Sequence, residues 1–242
     1  MDSLMSVVER ELLAKPAKEL LGSPERGAVA LFKSDSRADL TRIFRLYSRG
    51  KRVKHGLKLF SMIMRKHMAT EGTKMLKGAV VTKRKDASKK VKNQKGLSDN
   101  DVLRDTSVWT LVKRMVIVHD HYTRLIDTCF QTSSLFHDAL KRGYEDFINL
   151  VLDGKVKVPE LLADYYDRRL RRDLEFADLS LDELGEAIGT VTTVFTYVRD
   201  KDVFQEFYRK QMAKRLLLRK STGEDAEMVI ILKLRKSVGN QL

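Results

Sequence analysis

The chain has 242 residues, 43% of them hydrophobic and 33% charged, with 47 Lys and Arg against 33 Asp and Glu and a formal net charge of +14 at pH 7. This length and apolar content suffice for one large helical domain or two smaller ones, and the basic excess favours anionic partners: nucleic acid, acidic protein surfaces or acidic lipids. Cys129 is the one cysteine, which excludes an intrachain disulfide and a Cys-based zinc cluster and makes the cytoplasm or nucleus the expected compartment. The first ten residues carry charges and lack the apolar core of a secretory signal. No run approaches the roughly 18 apolar residues of a membrane span, so no membrane partner is expected.

Three prolines and thirteen glycines predict long helices rather than many short strands. Leu4 to Leu21 reads as one helix, redirected at Pro16 and stopped by Gly22-Ser23-Pro24. Asp39 to Ser48 is a short amphipathic helix on Leu40, Ile43, Phe44 and Tyr47, followed by a basic turn from Arg49 to Lys54. Gly56 to Thr70 presents Leu57, Phe60, Ile63, Met64 and Met68 on one broad face. Lys83 to Lys95 holds seven basic residues, one acid and no aromatic. With little to bury, it is read as a solvated loop, with a nuclear localisation signal or a nucleic-acid contact as the other readings. A long helix runs from about Asp101 to Phe130, where Leu111, Met115, Val118, Tyr122, Leu125 and Cys129 form a heptad-like seam and Val112, Val116, Ile126 and Phe130 widen it.

Ser133 or Ser134 starts the next helix, with Phe136, Leu140, Tyr144, Phe147 and Ile148 on its apolar side. Asp153-Gly154 begins a turn, and Pro159 suits the first turn of a helix carrying Leu161, Leu162, Tyr165, Tyr166 and Leu170. Ser180 and Glu183 match a capping box ahead of Leu184, Ile188, Val191, Val194, Phe195 and Val198. Lys201 to Arg219 is helical. Its apolar residues (Phe204, Phe207, Tyr208, Met212 and Leu216 on one side, Ala213 and Leu217 on another) predict a wide buried arc against several neighbours. Gly223 marks a break, and a last helix spans Asp225 to Val238.

Chemistry-bearing motifs are scarce. Gly50-Lys51 and Gly154-Lys155 lack the rest of a phosphate loop, and there is no GxGxxG or GxSxG. His119 and His121 lie two apart on a helix and point about 200° apart, so they cannot grip one ion; both read as structural. Cys129, on the seam, reads as a small buried hydrophobe. Tyr165-Tyr166-Asp167 reads as one buried tyrosine and one flanking it rather than as an acid/base pair. No catalytic residue, metal ligand or cofactor site is assigned. Arg168, Arg169, Arg171 and Arg172 have Asp167 and Asp173 beside them for neutralisation. Arg209, Lys210, Lys214, Arg215, Arg219 and Lys220 have no acid between them, more positive charge than a helix C-terminus needs, and read as a contact for an anionic surface.

These residues resemble a known family. Val203 to Leu217, VFQEFYRKQMAKRLL, is similar to the cullin signature phrase DKDxFxxFYxxxLAKRLL, with Met212 where Leu is usual. Pro159 to Asp167, PELLADYYD, resembles the cullin PELLAxYxD segment, and Phe147-Ile148-Asn149 the FIN that closes a cullin repeat. Val8 to Leu12, Leu46 to Arg49 and Gly56-Leu57 resemble the end of the second repeat and the turn into the third. Asp225-Ala226-Glu227 and Gly239 match the following segment, where Val238 replaces an expected Cys. Lys83 to Lys95 matches nothing and looks like an insertion.

Cullins are elongated scaffolds of multisubunit ubiquitin ligases, built from five-helix repeats that hold a substrate-receptor module and a C-terminal domain that binds a RING-finger protein. The resemblance implies an all-α protein: stacked cullin-repeat helices followed by the beginning of a four-helix-bundle region. It implies the end of one repeat in residues 1–55, a second repeat with the basic insertion in 56–156, and the start of the cullin homology domain in 157–242. It further implies a non-enzymatic scaffold segment in ubiquitin-dependent protein catabolism. Its partners would be ubiquitin-ligase subunits, the RING-finger protein and the substrate-receptor module, with Arg209, Lys210, Lys214 and Arg215 as the contact for an acidic surface. The first repeat and the segments beyond Leu242 have no counterpart here, so a fragment, a partial gene product or a shortened member is expected. The alternatives are a basic helical-repeat protein binding nucleic acid, and an inert or inhibitory fragment that occupies one partner.

Overall fold

A computed structural model describes residues 17–23, 27–48, 54–90, 99–151, 157–171 and 180–238, with backbone alone at 18, 20, 54, 55, 78–90, 99–109, 181, 237 and 238. Among the described residues the chain is all helix: α1 (Ala17–Gly22), α2 (Ala28–Lys33), α3 (Arg37–Ser48), α4 (Lys54–Lys90), α5 (Asp99–Cys129), α6 (Ser134–Ile148), α7 (Val158–Arg169), α8 (Leu181–Phe195), α9 (Lys201–Leu217) and α10 (Glu224–Val238). Within them no helix is long and apolar enough to cross a membrane. The redirection at Pro16, most of the basic turn after Ser48, the Asp153-Gly154 turn and Arg172 lie outside the described residues.

One expectation fails at the basic insertion. Residues 83–90, read as loop, continue α4 without a break. Lys, Arg and Ala are strong helix formers, and extending a helix already nucleated upstream costs far less than starting one. Composition alone cannot register that neighbouring nucleus. Residues 91–95 lie outside the description.

Two compact units divide the chain. The first takes residues up to Glu71 together with His119–Asp146. Its core is aromatic. Phe130 stacks on Phe136 with ring centroids 4.2 Å apart, and Phe60 meets both edge-on at 5.4 Å. Phe44 closes the cluster at 5.7 and 5.8 Å, and Phe32 stacks on Phe60 at 5.6 Å. Offset and edge-to-face contacts of this kind add to the burial energy of the rings. The i, i+4, i+7 spacing of Leu40, Phe44 and Tyr47 puts all three on the buried face of α3. Gly56 is required where it stands, because a Cβ there would run into the Tyr47 ring. The seam of α5 is buried at Tyr122, Leu125 and Cys129, and Val118 is half-buried.

The second unit takes Gly72–Val118 and Phe147–Leu242. Here α9 packs along α7, and α10 along α8. Pro159 sits in the first turn of α7, where its missing N–H costs nothing. Ser180 and Glu183 form the expected capping box: the Ser180 hydroxyl accepts from Glu183 N, and Glu183 Oε2 accepts from Ser180 N at 2.9 Å. Asn149 ties down the turn between α8 and α9, donating to the Tyr197 carbonyl at 3.1 Å and accepting from Arg199 N at 2.9 Å. Both Tyr165 and Tyr166 are buried, which corrects the expectation of one buried and one flanking. Tyr166 is held by Thr192 at 3.1 Å, whose own hydroxyl donates to the Ile188 carbonyl; Tyr165 is covered by the Arg169 guanidinium 5.8 Å from its ring centre. Helix α7 is buried at Leu161, Leu162, Ala163, Tyr165 and Tyr166, over more than one face, which is why periodicity, which assigns one inward face, undercounted.

Candidate functional site

Helix α9 was expected to be buried over a wide arc, and its true geometry is different. Phe204, Tyr208 and Arg215 form the buried stripe, Phe207 and Met212 are half-buried, and Ala213 faces solvent. Leu217 is 84% exposed, with Leu216 and Leu218 also open. The apolar residues at the helix end therefore belong to the surface, and an arginine belongs to the interior.

Arg215 is 2% exposed. Its Nε and Nη2 donate to Glu227 Oε1 and Oε2 at 3.0 and 2.9 Å, a bidentate pair, and its Nη1 donates to Asp167 Oδ1. Tyr208 Oη donates to Glu227 Oε2 at 3.3 Å, Ser221 Oγ to Glu227 Oε1 at 2.9 Å, and the guanidinium lies 5.7 Å over the Tyr208 ring. Burial alone would lower the affinity of Arg215 for its proton. The hydrogen bonds and charges of Glu227 and Asp167 outweigh that, and its pKa is raised. Burial, then the Glu227 charge, pushes the Tyr208 phenol up, so it stays a neutral donor. The backbone closes around this cluster: Thr222 N donates to the Leu170 carbonyl at 2.9 Å, and Arg171 pairs with Ser221 in an isolated antiparallel bridge. Gly223, at φ +156°, makes the turn into α10 in a conformation that L side chains rarely adopt.

The cluster joins α7, α9 and α10 through three residues that are 48 and 12 positions apart in sequence. Asp167 closes the PELLADYYD phrase, Arg215 lies in AKRLL, and Glu227 closes Asp-Ala-Glu. Three of the phrases that carry the family resemblance thus meet in one water-poor knot. Sequence reasoning missed it because charge runs were weighed against their neighbours in the chain. The available signal was that the phrases carry opposite charges, acids in PELLADYYD and Asp-Ala-Glu and bases in AKRLL.

Of the residues proposed to meet an acidic surface, Arg215 is thereby accounted for inside the chain and is withdrawn from that role. Arg209, Lys210 and Lys214 are exposed. Lys210 donates to Glu206 at 2.6 Å across one turn, which also lowers the Glu206 pKa. Next to them, Gln205, Tyr208, Arg209 and Met212 of α9 and Ile231, Leu234 and Arg235 of α10 line a hollow of about 190 Å³. A shallower hollow of about 370 Å³ in the first unit is lined by Arg37, Ala38, Thr41, Arg42, Arg45, Thr128 and Cys129, where Asp35 and Asp39 already pair with Arg37 and Arg42. His119 is buried and His121 lies 3.8 Å from Asp35, so the two imidazoles serve different surroundings. Among the described residues no three His, Cys, Asp or Glu side chains are grouped to hold a metal.

Comparison with known proteins bears on what this knot belongs to. A family model described as the cullin alpha solenoid domain matches residues 1–242. The chain is 34% identical to Cullin-1 of Oryza sativa subsp. japonica over 98% of its own length and 30% of that protein's. It is 32% identical to Cullin-2 of Arabidopsis thaliana over 98% of itself and 30% of that protein, and 28% identical to Cullin-3A of the same plant over 99% and 28%. It therefore spans about 30% of the length of these relatives. With the match running over the whole sequence and its diagnostic phrases converging on Arg215, the chain belongs to the cullin family.

Proposed function

We propose that the chain is a non-catalytic scaffold segment of a cullin-type ubiquitin ligase, acting in the cytoplasm or nucleus. The observation that carries this reading is the Arg215 knot, which uses the family's phrases to lock helices together rather than to present reactive groups. A scaffold needs that property. Partners held at a fixed separation react as neighbours rather than by bimolecular encounter, and the gain is lost if the spacer bends. In this reading residues 1–156 belong to the repeat rod and 157–242 begin the cullin homology domain. The exposed Arg209, Lys210 and Lys214 then offer an acidic partner three cations on one helix.

The test is co-purification of the chain with a RING-finger protein and other ligase subunits, under conditions where a full-length cullin associates. Retention of one of them is expected, weakened several-fold by the combined Arg209→Glu, Lys210→Glu and Lys214→Glu changes. Absence of any association overturns the scaffold role, as does a duplex affinity that falls steeply with salt in place of protein binding.

A further inference from the structure

We propose that the hollow between α9 and α10 binds an acidic peptide segment by taking one bulky aliphatic or aromatic side chain between two arginines. The proposal rests on the acidic-partner reading of α9 and adds to it an apolar anchor. Its most deeply buried lining residues are Tyr208 and Leu234. The Tyr208 hydroxyl is already committed to Glu227. Met212 and Ile231 are half-buried walls. The volume of about 190 Å³ is below the roughly 300–1,000 Å³ of small-molecule pockets and matches one large side chain.

The rim decides the chemistry of what flanks that side chain. Arg209 and Arg235 stand on it, exposed, and neither has an ion-pair partner among the described residues. Guanidinium groups bind carboxylates in charge-assisted pairs and stack on planar groups more readily than ammonium groups do. A chain of net charge +14 also draws acidic segments toward it. The hollow of the first unit offers no such rim, since acids already pair with two of its three arginines. A nucleic-acid backbone would gain nothing from Met212, Ile231 and Leu234, which is why a peptide is favoured over a phosphate polymer.

The experiment uses the full chain and labelled nine-residue peptides of Asp and Glu with a central Leu, Phe or Ala, read by fluorescence anisotropy. The Leu and Phe peptides are expected to bind about tenfold tighter than the Ala peptide, as burial of one large apolar side chain implies. A central Leu flanked by Lys is expected not to bind. Met212→Glu or Ile231→Glu should abolish the Leu-over-Ala preference, and Arg235→Glu should weaken all acidic peptides. Lys210→Glu with Lys214→Glu should weaken them while leaving the preference intact, which separates failure of the anchor from failure of the acidic-surface reading. Circular dichroism identifies any variant that unfolds; the exposed Arg235 keeps the test open if Ile231→Glu does so. Equal affinity for Leu and Ala peptides overturns the proposal. So does displacement by a DNA duplex without dependence on the central residue, or a self-associated chain that Met212→Glu disperses.

Discussion

The aromatic cluster around Phe60 and the ionic cluster around Arg215 are both shielded from water, and they are held by opposite means. In the first unit, rings from several helices meet at centroid distances of 4.2 to 5.8 Å, and any large apolar group of suitable shape contributes. In the second, a single guanidinium satisfies two carboxylates, and no substitute offers the same fork of donors. An apolar core degrades by degrees when atoms are removed. A buried ionic knot fails all at once when one member is lost, because its partners remain charged and dry.

The largest effect is therefore expected from Arg215→Ala, which strands Asp167 and Glu227 and should cost about 3–5 kcal/mol in urea unfolding. Replacing Arg215 by Met together with Glu227 by Leu and Asp167 by Asn should recover much of that loss. If the single variant is as stable as the parent, the knot is not what holds α7, α9 and α10. In the first unit, Met64→Ala, at a fully buried site, should cost roughly 2–5 kcal/mol, the spread reflecting how far its surroundings collapse into the cavity. A ring-substituted core that also lost stability abruptly would erase the contrast.

Gly72→Ala comes next. A helical glycine normally gains about 1 kcal/mol on becoming alanine. Here the new Cβ would lie 2.5 Å from the Phe147 ring, so a net loss of about 1–3 kcal/mol is expected in thermal melts. Ser180→Ala removes the hydroxyl that caps α8 and should cost about 1 kcal/mol. The smallest effect is a pH dependence from His119. Burial lowers its pKa in the folded chain, and the neighbouring Asp120 only partly opposes that. The unfolded chain therefore binds the proton first, and stability falls as pH drops below about 6.5, with a slope of at most about 1.4 kcal/mol per pH unit. His119→Gln should flatten that part of the stability profile while leaving the second unit's behaviour unchanged.

Much of this was legible in the order of residues. The buried faces of α3, α5, α6 and α7 follow the 3.6-residue period, and the Ser180 cap and the Pro159 start are local hydrogen-bonding facts. Burial is a property of one face, so a repeating pattern exposes it. The misreadings have a common form. Residues 83–90 were judged by composition, without the helix already running into them. Leu216 and Leu217 were judged by hydrophobicity, although nothing among the described residues covers Leu217. Arg215 was judged by its basic neighbours, although its counter-charges lie in other helices.

From its sequence the molecule was bound to be helical, basic and a member of the cullin family, because periodicity, caps and phrases are encoded within a few residues of one another. Tertiary structure alone decided that one arginine of the basic run turns inward while the leucines beside it stay wet. A charge is buried only where opposite charges converge on it, and that convergence depends on how distant helices pack.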